Sequence, residues 1–261
     1  MPTPFTHLAL SRQMLTDGAI PDAMRADLIA QRGAFYLGQI AADGHALEQP
    51  PIKREATHFY SYTHMPDGKL WHLMLHAHPL IDDKRDPAAR AFMAGYVAHL
   101  SVDEYWARHM AIPHFGYANW GTQGLRFMML NVLLILMDER DYARLSQPPE
   151  ARADMAAALH AAQPDEWLPF LSDRALCDWG AVIHRQIKPD GLSETLQILA
   201  PRISRDMTAL KLRDILESPA RLERDLWQHV PRPRAEQVER EMYTFARDEM
   251  IAYWLREQSQ A

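Results

Sequence analysis

The sequence predicts an all-α protein, a single multi-helix domain. Three observations carry this. The 261 residues are rich in Ala, Leu, Arg, Met and Glu, which lose little side-chain freedom on entering a helix. Only 11 are glycine, the residue that costs a helix most among those keeping an N–H. Alternating runs of β-branched residues, the pattern of a half-buried strand, are scarce. The length permits one large domain or two small ones. The proline pair in QPPE at 147–150 marks the best boundary. Segments on both sides of it read as helices that need neighbours. One domain over 1–261 is therefore expected, with 1–146 as the metal-site part and 150–261 as additional helices.

The elements follow in order. A first helix is expected over 6–15. A second begins at Pro21 and Asp22, because proline suits a first turn where its missing N–H is not needed. It runs to Ile40 with a kink at Gly33. Residues 43–63 read as loop, interrupted by Gly44, Pro50 and Pro51. A short helix over 69–78 stops at Pro79. Asp86 and Pro87 open a long helix to Met110. Trp120 or Gly121 opens an apolar helix to Leu145. Its core, LRFMMLNVLLILM, is 13 residues long, short of the ~20 that cross a membrane, so a buried helix is expected. Further helices are expected over 150–161, 165–187, 193–199, 203–217, 219–229 and 234–257. The last places Val238, Met242, Phe245, Met250 and Trp254 in a stripe that would pack on the core.

Composition narrows the function. A net charge of −6 gives no broad electrostatic footprint for nucleic acid. The opening MPTPFTHLALSRQ lacks the basic and apolar regions of a signal peptide. A cytoplasmic protein is expected. A single cysteine excludes a disulfide framework and a cysteine-based zinc ribbon. Thirteen histidines are a high count, and histidine is the usual nitrogen ligand of metals.

Three arrangements of histidine merit attention. His99-x-x-x-Asp103 places both side chains on one helix face, where they can reach one ion. His72-x-x-x-His76 with His78 offers a rival site, that of a helical-bundle metalloprotein with transferase or oxidase chemistry. The His-x-x-x-Asp spacing of the first arrangement recurs at His78 and Asp82, where Pro79 inside it makes it read as a turn. Glu55-x-x-His58 occurs once, whereas a di-iron bundle needs that motif on two helices.

The order His7, Asp43, His58, His99-x-x-x-Asp103, His109 resembles the zinc-dependent phospholipase C and single-strand nuclease superfamily. The matching segments are PFTHLAL, FYLGQIAADG, EATHFY and GYVAHLSVDEYW, with Ala42 where the family's loop carries proline. The likeness covers roughly the first 110 residues. It implies an all-α zinc-dependent hydrolase of phosphoric esters, acting through zinc-bound hydroxide attacking phosphorus in line. His58 and His99 would hold one zinc, with Asp43 as a further ligand or as general base. Asp103 would bridge to a second zinc held by His7. In characterised relatives the mature N-terminal amine joins that second ion. Here loss of Met1 would free the imino group of Pro2. Relatives with a third zinc use a residue matching His109 plus a downstream His-x-x-x-Glu/Asp pair. This chain has no such pair, so two ions are expected and the third site is missing or rebuilt on His114, His160 or Asp138.

The chemistry suits these residues. Two nearby zinc ions acidify a bound water and neutralise charge growing on phosphoryl oxygens. Imidazole and carboxylate ligands suit zinc and leave a position open. Glu104 and Glu55 are candidates to orient the histidines. Tyr60, Tyr62, Tyr96 and Trp106 either wall the pocket or pack the core. The acidic balance favours a small soluble phosphodiester or a lipid head group over extended nucleic acid. A non-catalytic relative with a structural or lost metal site is the remaining alternative.

Overall fold

The computed structural model describes residues 1–61, 64–79, 81 and 86–258. In chain order the α-helices are α1 (Pro4–Met14), α2 (Asp22–Ala30), α3 (Arg32–Ala41), α4 (Glu55–His58), α5 (Leu70–Ala77), α6 (Pro87–Trp106), α7 (Gln123–Leu145), α8 (Pro149–Ala161), α9 (Asp173–Ile187), α10 (Thr195–Ile203), α11 (Ala209–Leu216), α12 (Pro219–Leu222) and α13 (Arg232–Gln258). No strand forms among the described residues. Ser61 and His64 make one isolated antiparallel bridge. The all-α class is therefore as the sequence predicts.

Several boundaries differ, each for a local reason. The helix expected over 22–40 is two helices. The break falls at Gln31, which leaves helical geometry at φ −109° and ψ 31°. The stretch read as loop contains a 3₁₀ helix, Ala42–Leu47, and the single turn α4. The long helix ends as an α-helix at Trp106 and continues as a π-helix, Ala107–Gly116, with Pro113 inside it. That wider winding absorbs a proline that has no N–H to donate. Helix α9 starts only at Asp173, where the Ser172 hydroxyl accepts from the Ala175 N–H at 3.2 Å. The serine cap competes with any helix begun upstream. The segment over 219–229 is α12 followed by a second π-helical stretch, Glu223–Trp227.

Helix α6 lies at the centre of the core. It is buried along nearly its whole length, from Ala89 to Trp106. Helix α3 packs on it along one side and α13 along another. Two glycines set the α3–α6 separation. A Cβ built on Gly38 would lie 2.0 Å from the Phe92 carbonyl oxygen, and one on Gly95 2.3 Å from the Phe35 carbonyl oxygen. Only hydrogen at these positions lets the two backbones approach so closely.

Gly38→Ala tests this. Alanine gains about 1 kcal/mol in helix propensity. The methyl group meets backbone that cannot rotate away, and overpacking of that kind costs about 1–3 kcal/mol or more. The expected result is a melting temperature lower by several degrees. An unchanged or raised melting temperature would show that the helices separate freely.

The apolar helix is buried as predicted through Met129, Val132, Leu133, Ile135 and Met137 of α7. On α13, Val238, Met242, Met250 and Trp254 are buried and Phe245 is half-buried. No helix among the described residues is long and apolar enough to cross a membrane.

Candidate metal centre

The centre is assembled where α1, α3, α4 and α6 meet. Helix α1 brings His7. Its first turn is pinned to α7 by the Thr3 hydroxyl, which donates to Asp138, and by Thr6 Oγ1, which donates to Asp141 at 2.9 Å. Asp138 also accepts from Thr195 of α10 at 2.5 Å. Burial pushes the Asp138 carboxyl up to about 6, against the pull of the Thr195 and Thr3 hydroxyls. This acid is thus committed to holding α1, and is not available for a third metal site.

The last carbonyls of α3 supply the next anchors. A helix leaves its final carbonyl oxygens without intrahelical partners. Here side chains take them. His99 Nδ1 lies 2.8 Å from the Gln39 oxygen, and Trp179 Nε1 donates to Ile40 at 2.8 Å. Thr57 Oγ1 donates to Ala42 at 2.8 Å. A carbonyl can only accept, so Nδ1 of His99 carries the proton and Nε2 presents a lone pair. His58, the last residue of α4, follows the same logic. Its Nδ1 lies 2.9 Å from Thr57 Oγ1, whose single hydrogen is directed at a carbonyl. Nδ1 is the donor and Nε2 the free acceptor. Phe59 then turns the chain away in a left-handed conformation, φ 61°.

Asp103 stands one turn after His99 on α6, and Asp43 sits in the 3₁₀ helix after α3. Asp103 Oδ1 is 3.5 Å from His7 Nε2. Asp103 Oδ2 is 3.7 Å from His58 Nε2 and 3.9 Å from His99 Nε2. Asp43 Oδ1 is 3.4 Å from His58 Nε2. The His7 and His99 rings stack at 4.0 Å. Two sets result: His7, His99 and Asp103, and Asp43, His58 and His99. Within each, one donor atom per residue lies within 4.8 Å of the others. His99 belongs to both.

The chemistry of these atoms fits a divalent cation. Nε2 of His7, His58 and His99 and Oδ1 of Asp103 are buried with no hydrogen-bond partner among the described residues. Each such group left unpaired costs about 1–3 kcal/mol. Burial raises the Asp43 carboxyl, but its contact with His58 and the field of His99 outweigh it and hold it below the usual range. Burial acts on Asp103 in the same way, and its contact with His7 and the fields of His99 and Arg54 again prevail. Burial pulls His99 down to about 3 and lowers His58, the latter against Asp43. The amino group of Met1 lies in the same field. Burial lowers it to about 6 against the attraction of Asp103. Ionised carboxylates and neutral imidazoles are the protonation states that zinc needs.

Around the donors lies an outer ring of which the sequence marked only Tyr60 and Tyr96, as pocket wall or core, and not Arg54 or Thr57. Arg54 Nη2 donates to Asp103 Oδ2 at 2.9 Å and to the Tyr60 hydroxyl at 2.8 Å. That hydroxyl donates to the same Oδ2 at 3.3 Å. The Tyr96 hydroxyl donates to the Thr57 carbonyl at 2.6 Å and so steadies α4. Arg54, Thr57 and Tyr60 all lie within eight residues of sequence around His58. Gln39 acts through its backbone oxygen, which no residue identity signals.

Other candidates lie elsewhere. His109 stands outside both sets. Its ring stacks on Tyr105 at 4.1 Å. Six residues beyond Asp103 is about one and two-thirds α-helical turns, and the π-helix intervenes, so the two do not share a face. Glu104 orients no histidine. It accepts from the Leu70 N–H at 2.8 Å and from Arg108 at 3.1 Å, which caps α5. Glu55 is exposed. His72 and His76 point to solvent from α5, whose Trp71, Met74 and Leu75 face the core. His78 packs on Phe170 at 4.6 Å. These three form no metal-holding group among the described residues. Trp106 is core. His160 stacks on His184 at 4.8 Å, and the His114 carbonyl accepts from Trp120. Tyr62 and Asp82 lie outside the described residues.

Of the five converging residues only Asp43 reaches solvent. Its side chain is 28 % exposed, against 0–1 % for the others. No protein-family model matches the chain, and searches of curated proteins and of solved structures return no match.

Proposed function

We propose that this chain is a zinc-dependent phosphodiester hydrolase of the phospholipase C-like kind, working with two ions. The observation that carries the proposal is the gathering of three unpartnered imidazole nitrogens and an unpartnered carboxylate oxygen into two buried donor sets that share His99. His7 and Asp103 would hold one ion and Asp43 and His58 the other, with His99 in reach of both. Bound zinc supplies an acidified water and positive charge against the phosphoryl oxygens. Substrate would enter beside Asp43, since the other four residues are shut in. Asp43, kept ionised, either ligates metal or takes a proton at the mouth. The buried wall excludes bulk water and strengthens each charge interaction inside it. With a net charge of −6, a small phosphodiester or a lipid head group suits this protein better than a long polyanion. A cytoplasmic setting goes with this reading.

The test is metal analysis of purified, zinc-supplemented protein with an assay on an activated aryl phosphodiester. About two zinc per chain are expected. His58→Ala should lose one ion and reduce hydrolysis more than about 100-fold, beyond the usual cost of losing an outer partner. Zinc uptake under about half an equivalent would overturn the proposal. A purely structural centre is the second reading, favoured by the near-complete burial of four ligands. It predicts zinc uptake with no hydrolysis.

A further inference from the structure

We infer that Arg54 makes Asp103 a one-oxygen ligand, so that the centre holds its two ions with unequal strength. The inference rests on the reading that this cluster binds zinc. A carboxylate oxygen has two lone pairs in its plane. On Asp103 Oδ2 both are used, one by Arg54 at 2.9 Å and one by the Tyr60 hydroxyl at 3.3 Å. Arg54 also donates to that hydroxyl and lies 4.5 Å over the Tyr60 ring, so the three groups lock one another in place. Oδ1 is left as the buried oxygen with no hydrogen-bond partner, and it faces His7.

The two donor sets agree with this division. Asp103 groups with His7 and His99, and it is missing from the set of Asp43, His58 and His99. The first set is wholly buried, and the second ends at half-exposed Asp43. A shared carboxylate would normally tie the two ions together. Here a fixed guanidinium occupies the oxygen that lies 3.7 Å from His58 Nε2, so its positive charge stands on the side of the second ion's ligand, whose imidazolium it disfavours. Like charges in a poorly screened site repel strongly. The ion on His7, His99 and Asp103 is the tight one. The ion on Asp43 and His58 is weak. Arg54 is a positioning residue that acts through Asp103.

The experiment is zinc titration of the full chain against a chromogenic chelator, for wild type, Arg54→Gln and Arg54→Lys. Wild type should show two zinc affinities at least about tenfold apart. Arg54→Gln keeps a hydrogen bond to Asp103 and removes the charge. It should tighten the weaker ion at least about tenfold and leave the tighter one within about threefold. Arg54→Lys keeps the charge and should keep the gap. A residue that merely supported the fold would weaken both ions when replaced. If Arg54→Gln does not fold, Tyr60→Phe frees one lone pair of Oδ2 and should also tighten the weaker ion.

A wild type that stops at one zinc, with a second taken up only by Arg54→Gln, supports the inference. Two equal affinities in wild type, or an unchanged or weakened second ion in Arg54→Gln, overturn it and leave the two-zinc reading standing. No zinc uptake by wild type overturns both. Zinc binding as described with no phosphodiester hydrolysis overturns the proposed reaction alone.

Discussion

His99→Ala is expected to disable the whole centre, where replacing His7 or His58 disables half of it. His99 is the residue common to both donor sets. Its Nε2 is aimed by the Nδ1 hydrogen bond to Gln39, and that bond depends on the close approach of α3 to α6 at Gly38 and Gly95. Without the imidazole each set falls to two protein side chains, below the three that hold catalytic zinc in known sites. Zinc content should fall from about two per chain to under about half, with hydrolysis at background. His7→Ala and His58→Ala should each retain about one ion. The loss need not come from unfolding. Removing His99 takes the His99 partner from the buried Gln39 carbonyl and relieves an unpaired buried nitrogen, each worth about 1–3 kcal/mol, so the two terms offset. Melted with chelator present, the variant should lie close to metal-free wild type. Two zinc equivalents retained in His99→Ala would sink this account, and so would equal losses in all three variants.

The contrast between motif and support explains what the sequence made legible. Helix content, the buried α7 and the apolar stripe of α13 follow from composition and periodicity, which act locally. His7, Asp43, His58, His99 and Asp103 were marked by order and spacing, and the fold gathers all five. His109 was drawn in by the same ordering, but a π-helical stretch decides which face it takes. That winding depends on Pro113 and on tertiary packing more than on any nearby periodicity. The run from His72 to His78 shows the opposite limit. Metal-like spacing on α5 coincides with its solvent face, because Trp71, Met74 and Leu75 claim the buried one. Arg54 and Tyr60 carried a local signal, four residues before and two after His58, that becomes readable only once Asp103 is known to face them. Gln39 carried none, since a backbone oxygen is the same in every residue.

Acid should destabilise the metal-free protein well above the pH at which carboxylates titrate. In the folded chain burial holds His99 near 3 and His58 below its ordinary 6.5. In the unfolded chain both titrate near 6.5. Below that value the unfolded state binds protons that the folded state refuses, so stability falls as pH falls. For His99 the loss runs from 6.5 down toward 3, at about 1.4 kcal/mol for each pH unit. His58 adds in the same direction. Asp43 and Asp103, held below their usual range, join only near pH 4, where their unfolded counterparts begin to protonate. Two further groups enter the window: the Met1 amine, lowered to about 6, adds to the loss from about pH 8 downward, and Asp138, raised to about 6, opposes it below about pH 6. Denaturant unfolding with chelator at pH 7, 6.5, 6, 5.5 and 5 should therefore show a decline that is steepest above about pH 6 and shallower below it. His99→Gln, which has nothing to titrate, should remove about 1.4 kcal/mol per pH unit from that slope. Zinc should raise stability at pH 7 by mass action. That gain should fade through the same window as protons compete for the imidazoles. A slope in His99→Gln equal to that of wild type would mean that His99 is not held neutral in the fold. It would then lack the lone pair that the proposed centre requires.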